Sequence, residues 1–209
     1  IFQRNITMSL ICKDDETLRR TSVRKLKPLA FNLNLIQQLS ELSWLPVDNN
    51  VSIAEMEQAF RSIVRTKRFS RWTDLLLVSV GNAAFCRLFN GDLWAMLTVF
   101  AATLLGFLVK QQLSRLKYNP LGVIILSAFA ASMAAACAVI FQLGSTPQIA
   151  LATSVLFLVP GVQMINSIMD LMHGHILMGI SRGVHSIMMI SCITIGLSAT
   201  MLIVGVNSL

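Results

Sequence analysis

Gln163, Asn166, Asp170 and His173 recur at spacings of three, four and three within an otherwise apolar stretch of the chain. On a helix that spacing places all four on one face. A polar stripe in apolar surroundings is costly unless it faces protein or water, so it suits the lining of a path for a small polar molecule. Pro160-Gly161 comes just before the stripe. Proline removes one backbone donor and clashes with the carbonyl four residues earlier, so the helix is expected to kink or unwind there, near the middle of the stretch. A half-helix restarting after such a break directs its N-terminal dipole into the gap, where a carboxylate is favoured. At 1.5 Å per residue, Asn166 lies ~9 Å and Asp170 ~15 Å beyond Pro160, so the stripe runs from mid-membrane depth to one boundary. Arg182 could add positive charge at that mouth, and Asp170 with His173 could carry a coupled proton. The plainer role for Asp170 and His173 is to cap the helix end. Asn82, in an earlier apolar stretch, is a further candidate for the pathway.

Other chemistries fit poorly. Asp170, His173, His175 and His185 are potential metal ligands, but no His-Glu-x-x-His motif or second carboxylate accompanies them. Cys12, Cys86, Cys137 and Cys192 are widely scattered, three of them in apolar runs, which implies neither a disulfide framework nor a zinc site. No serine-nucleophile motif or phosphate loop is visible. No cofactor, metal or catalytic activity is therefore expected.

The elements that must position these residues follow from an uneven composition. Hydrophobic residues make up 55% of 209 positions and charged ones 13%, about half the charged share of a soluble protein. Residues 1–71 hold twelve of the 17 Lys and Arg and seven of the 10 Asp and Glu, a net of +5. No aromatic-interleaved basic stripe accompanies that charge, so nucleic acid is not the expected partner; anionic lipid is.

In this polar head, alternation of Ile6, Met8, Leu10 and Cys12 marks a half-buried strand over residues 5–13, with a turn at Asp14-Asp15. A second strand over 17–26 completes a hairpin ended by Pro28. Leu35, Ile36, Leu39 and Leu42 mark an amphipathic helix that stops before Pro46. Ser52 and Glu55 form a capping box, and the helix it starts carries Ile53, Met56, Phe60, Ile63 and Val64 on one face. Arg65, Lys67, Arg68 and Arg71 should then hold its end at lipid headgroups.

Residues 72–209 contain five apolar stretches, 72–89, 93–109, 121–141, 148–172 and 178–206. Each approaches the ~20 residues that cross a ~30 Å hydrocarbon core, the first only marginally. The fold class is thus mainly α: a polytopic membrane protein of about five transmembrane helices with a small α+β N-terminal region. Lys110, Arg115 and Lys117 fall in the second connector and Arg182 beyond the fourth stretch, while the first and third connectors lack Lys and Arg. The positive-inside rule then places the N-terminus in the cytoplasm and the C-terminus on the far, periplasmic side. Arg87 is the exception and can snorkel. Ala102 with Gly106, Ala128 with Ser132 and Ala136, and Gly179 with Gly183 have the small-xxx-small spacing of close helix packing.

Leu158-Val159-Pro160-Gly161 with Asn166 and Asp170, followed by Gly174-His175, Gly179 and Arg182, resembles the signature of the threonine/serine exporter family. Phe89-Asn90-Gly91-Asp92 is similar to that family's first connector, and the basic head to its cytoplasmic region. The resemblance covers nearly the whole chain and is nearest the split, two-protein form regarded as exporting succinate. It implies a five-span half working in the bacterial inner membrane with a second, smaller membrane subunit in a higher oligomer. The sequence ending after a fifth span agrees with the split form. Two features depart from the family pattern. Asn90 stands where glycine is usual, which loosens any role for that connector. The family's first helical segment is absent before Ile1, so an N-terminal piece is expected to precede it.

The function expected is export of a small carboxylate-bearing metabolite, first a succinate-type dicarboxylate, with threonine or serine as the alternative. A membrane scaffold recruiting a partner through its head is the alternative from another class.

Overall fold

The computed structural model describes residues 5–11, 19–25, 33–48, 52–64 and 70–205. Ile1–Phe69 and Ser70–Leu209 form two compact units.

In the first unit, β1 (Asn5–Ile11) pairs antiparallel with β2 (Arg19–Lys25), Asn5 opposite Lys25 and Ile11 opposite Arg19. The hydroxyls of Ser9 and Thr21 meet across the strands at 2.9 Å. Met8, expected on a half-buried face, is 58% exposed; a two-stranded ribbon has no second layer of its own. Cys12, the Asp14-Asp15 turn, Pro28 and the Arg65–Arg68 cluster lie outside the described residues. Helix α1 (Leu33–Asp48) does not stop before Pro46 but continues to Asp48. A proline that close to a helix end removes only one hydrogen bond of the final turn. Helix α2 (Ile53–Val64) starts at the expected capping box. The Ser52 N–H donates to Glu55 Oε2 at 2.9 Å and the Glu55 N–H donates to Ser52 Oγ at 3.3 Å. Those Ser52 donors, the backbone N–H first, hold the Glu55 carboxyl below its ordinary range.

The second unit is a helix bundle: α3 (Arg71–Leu88), α4 (Leu93–Arg115), α5 (Pro120–Ile140), α6 (Pro147–Thr153), a 3-10 turn (Leu156–Leu158), α7 (Gly161–Met172) and α8 (Ile176–Val204). Helices α4, α5 and α8 are long and apolar enough to cross a membrane, and α6 with α7 makes a fourth candidate as a pair bent by 60°. Helix α3 is not in that set. It carries Arg71, Asp74 and Arg87 within 18 residues. Helix α4 runs six residues past Val109, so Lys110, expected in a connector, lies inside a helix.

Helix α5 is the central post, flanked by α4 and α8. Its inner faces are small: Ala128, Ala131 and Ala135 are fully buried, as are Ser127 and Ser132. Apolar side chains gain little by leaving lipid tails for one another, so close backbone approach and interhelical hydrogen bonds must hold such a bundle. A Cβ on Gly106 would come within 2.7 Å of Ala131 Cβ, and one on Gly196 within 2.6 Å of the Ile125 carbonyl. Ala102 packs with Ala135, Ala136 and Leu151. Ser132 and Thr200 hydroxyls meet at 2.6 Å between α5 and α8. Large apolar side chains point outward instead, Leu177, Leu202 and Leu93 among them.

Four helices end in the same way. Asn90, Lys117, Gln142 and Gly174 each adopt positive φ. In each case the next residue's N–H reaches back five positions, as in Gly91 to the Cys86 carbonyl at 3.0 Å and His175 to the Asp170 carbonyl at 2.8 Å. This is the Schellman closure, in which the left-handed residue is most often glycine and next most often asparagine. Asn90 thus performs a turn that glycine would perform with less strain.

Candidate functional site

The fourth apolar stretch is interrupted over seven residues. Helix α6 ends at Thr153, a single 3-10 turn follows, and Val159 is extended (φ −62°, ψ 127°) before α7 begins at Gly161. Freed backbone groups at such a break need partners from elsewhere in the protein. Asn82 supplies one: its Nδ2 donates to the Thr153 carbonyl at 3.2 Å and to Thr103 Oγ1 at 2.7 Å. Asn82 is only 4% exposed, so it ties α3, α4 and the end of α6 together inside the bundle and does not line an open path.

Depth along the bundle differs from the expectation. Val155 and Leu158 pack with Ile124 and Ala128 of α5 and with Cys192 and Ile193 of α8, and Leu121, Ile125 and Phe157 pack against the same group. The interruption therefore sits against the first three turns of α5, not its middle. Ile193 near Ile124, Gly196 at Ile125 and Thr200 at Ser132 show that α8 runs beside α5 in the same direction. Residues of α8 before Met189 precede the start of α5, and α7 is what packs on them.

That α7–α8 contact holds the polar stripe. Ser167 Oγ donates to the Gly179 carbonyl at 2.6 Å. A Cβ on Gly179 would lie 2.6 Å from Leu171 Cγ, and one on Gly183 would lie 3.0 Å from Ser167 Oγ. One turn on, Arg182 Nη1 donates to Asp170 Oδ2 at 2.7 Å, the two side chains 38% and 21% exposed. Arg182 and Asp170 are thus partners, so the arginine is not a free charge at a mouth. The His173 ring bonds its own α7 through Nδ1 and the Met169 carbonyl at 2.7 Å. Gln163 and Asn166 are half-buried, and Gln163 Oε1 is buried without a partner among the described residues. Pro160 caps α7 with no side-chain hydrogen bond; the Gly161 N–H turns back to the Val159 carbonyl at 2.9 Å, which leaves the N–H groups of Val162 and Gln163 uncapped. His175 and His185 are exposed, and among the described residues no three His, Cys, Asp or Glu side chains come together as a metal site.

Sequence spacing missed Thr103, Thr153 and Ser167, the three groups that anchor the site's neighbours. It also missed Lys110. Its ammonium lies 5.8 Å from the Phe107 ring and 6.0 Å from the ring of Phe157, in the 3-10 turn. The signal was available, because Phe107 and Lys110 share a helix face at i, i+3. Two concavities sit at the bundle ends, one of about 350 Å³ with Arg71 and Arg115 in its wall and one of about 630 Å³ with Arg87 and Asp92; the interruption lines neither.

At the end remote from the Arg71 and Arg115 concavity, Asp92 joins two connectors. It accepts from the Ala95 N–H at 2.8 Å, capping α4, and from the Ser145 N–H at 2.7 Å. Thr146 completes the junction by accepting from the Asp92 N–H at 2.9 Å. Gly144, at φ +79°, has Asp92 Oδ2 where a Cβ would stand.

A family model described as "Putative threonine/serine exporter" matches residues 1–204. The chain belongs to the threonine/serine exporter family. Two curated relatives share the description "Probable succinate transporter subunit YjjP". The Escherichia coli (strain K12) protein is 34% identical over 175 residues, covering 81% of this chain and 66% of the relative. The Klebsiella aerogenes protein is 31% identical over 194 residues, covering 90% and 73%. No solved structure matches. Family membership and the apolar helices place this exporter-family chain in a membrane.

Proposed function

We propose that the chain is one subunit of a two-component exporter of small carboxylates, first a succinate-type dicarboxylate, in a bacterial inner membrane. The observation that carries this reading is the uncapped start of α7 beside Gln163 and Asn166, whose amides have no side-chain hydrogen bond among the described residues, Gln163 Oε1 being buried as well. Open N–H groups and the helix dipole attract an anion, and the side-chain N–H groups of the two amides can donate to its oxygens. Pro160 and Gly161 set the break that exposes them. The description of both relatives as succinate transporter subunits supports the dicarboxylate and a partner subunit, and the proposed partner is a second, smaller membrane protein. A higher oligomer would complete walls that one chain leaves open.

An exporter of this kind moves its solute unchanged, so no catalytic residue is assigned. Helix α3 is the fifth crossing, because its charges lie in its first and last turns and can reach the headgroups. The head is cytoplasmic and the C-terminus periplasmic, as the connector charges indicate. Coupling by a proton would require Asp170 to release Arg182, with His173 one turn away. Gly179 and Gly183, like Ala102 and Gly106, keep the helices close enough for that stripe to stay formed.

The test is efflux of labelled succinate from vesicles holding both subunits. Gln163→Ala and Asn166→Ala should each lower it by about tenfold, the effect of losing one hydrogen bond to a charged group. Wild-type rates in both variants reject this site. Threonine or serine leaving faster than succinate would reassign the substrate.

A further inference from the structure

Lys110 stands apart from every other cation of the bundle. It is in the eighteenth position of the 23-residue α4, half-buried, with two aromatic rings about 6 Å from its ammonium. Among the described residues it has no carboxylate partner, whereas Arg182 has Asp170. One of its rings, Phe157, belongs to the interruption itself, three residues before Pro160. The rings meet edge to face at 6.1 Å. Aromatic faces stabilise a cation but satisfy none of its N–H donors. One turn away, Gly106 lets the α4 backbone meet Phe157 Cζ and the Ser127 carbonyl, both near 3 Å from where a Cβ would be. Ser127 is fully buried and its hydroxyl has no hydrogen-bond partner among the described residues, although Ser79, Ser132, Thr153 and Ser186 all bond back to their own helices. The Lys110 ammonium thus faces the 3-10 turn from α4, and the Ser127 backbone of α5 meets α4 one turn away at Gly106.

We infer that Lys110 binds one carboxylate of the transported solute beside the interruption, making it the residue that selects a dicarboxylate over a zwitterionic amino acid. This rests on the exporter reading above and adds a second anion point to the one at the start of α7. A dicarboxylate satisfies both. A hydroxy amino acid offers one carboxylate and an ammonium that Lys110 repels. The two rings keep the ammonium beside the interruption, at 5.8 and 6.0 Å from their centroids, with its N–H donors left for the carboxylate.

The experiment uses vesicles carrying the full-length protein with its partner subunit. Efflux of labelled succinate is measured, with succinamate (one carboxylate replaced by an amide) and threonine as alternative solutes. Lys110→Gln should raise the KM for succinate about tenfold and leave that for succinamate within about twofold, while Lys110→Arg stays near wild type. Threonine should gain on succinate in Lys110→Gln. An equal rise for succinate and succinamate, or no rise for either, overturns the assignment and shows a lysine that only packs or snorkels. The Tm of each purified variant separates folding loss from binding loss. Export by the wild type with an unaffected Lys110→Gln sinks this inference alone, whereas a wild type that exports no small acid removes the exporter reading and this one with it.

Discussion

Asn82 shows how a single polar side chain can be read in two ways. A lone amide in an apolar stretch invites a role in the solute route, yet here both of its donated hydrogen bonds end on protein, at Thr103 and at the Thr153 carbonyl. It stabilises the interruption from behind. Replacing it with leucine leaves a buried carbonyl bare, and interhelical hydrogen bonds in membranes are worth about 1 kcal/mol. Asn82→Leu should therefore lower the Tm in detergent while the KM for the solute stays unchanged. A raised KM at unchanged Tm would return Asn82 to the route. Lys110 is the opposite case, a residue whose position after Val109 suggested a loop and whose side chain instead turns onto Phe157.

At the scale of elements, the junction between the first and third connectors depends on Asp92. Donors hold its carboxyl below the ordinary aspartate value, the Ser145 N–H first and the Ala95 N–H next. A depressed folded-state pKa means that the stabilisation is complete above the unfolded value of about 3.9 and is lost as pH falls through the lower folded value. The Tm of the wild type should therefore fall more steeply below about pH 4 than that of Asp92→Asn, whose amide keeps an acceptor at every pH. Parallel curves for the two proteins would show that Asp92 does not anchor the connectors. The Schellman ends explain why this junction tolerates Asn90: the turn needs a left-handed residue, and asparagine can supply one.

For the whole molecule, the decisive feature is that α5 and α8 run side by side while α7, turned by 60° from the α6 segment, packs on the first part of α8. The two basic-free connectors are brought to one end by Asp92, Ser145 and Thr146, which suits an alternating up-and-down chain. With Cys12 and Cys137 changed to serine, Phe141→Cys should react with an impermeant thiol reagent added outside cells, and Tyr118→Cys only after the inner face is opened. The reverse pattern would invert the proposed orientation. The α7–α8 pair, reaching beyond the start of α5, is the part of the molecule best placed to move, because it is anchored by Ser167, Gly179 and one ion pair and lacks the α5 post.

Composition, the apolar stretches, the capping box at Ser52 and Glu55 and the break at Pro160-Gly161 were all legible in the sequence. Each depends on local rules: helix periodicity, a missing proline N–H, and the intolerance of lipid for charge. The seven-residue length of the break, its position against the first turns of α5, and the pairing of Arg182 with Asp170 were not legible. They depend on which helices touch and at what height. In a bilayer that choice is made by small residues and scattered hydrogen bonds, Gly196 on Ile125 and Asn82 on Thr153 among them, whose partners lie 71 positions away and leave no periodic trace in the chain.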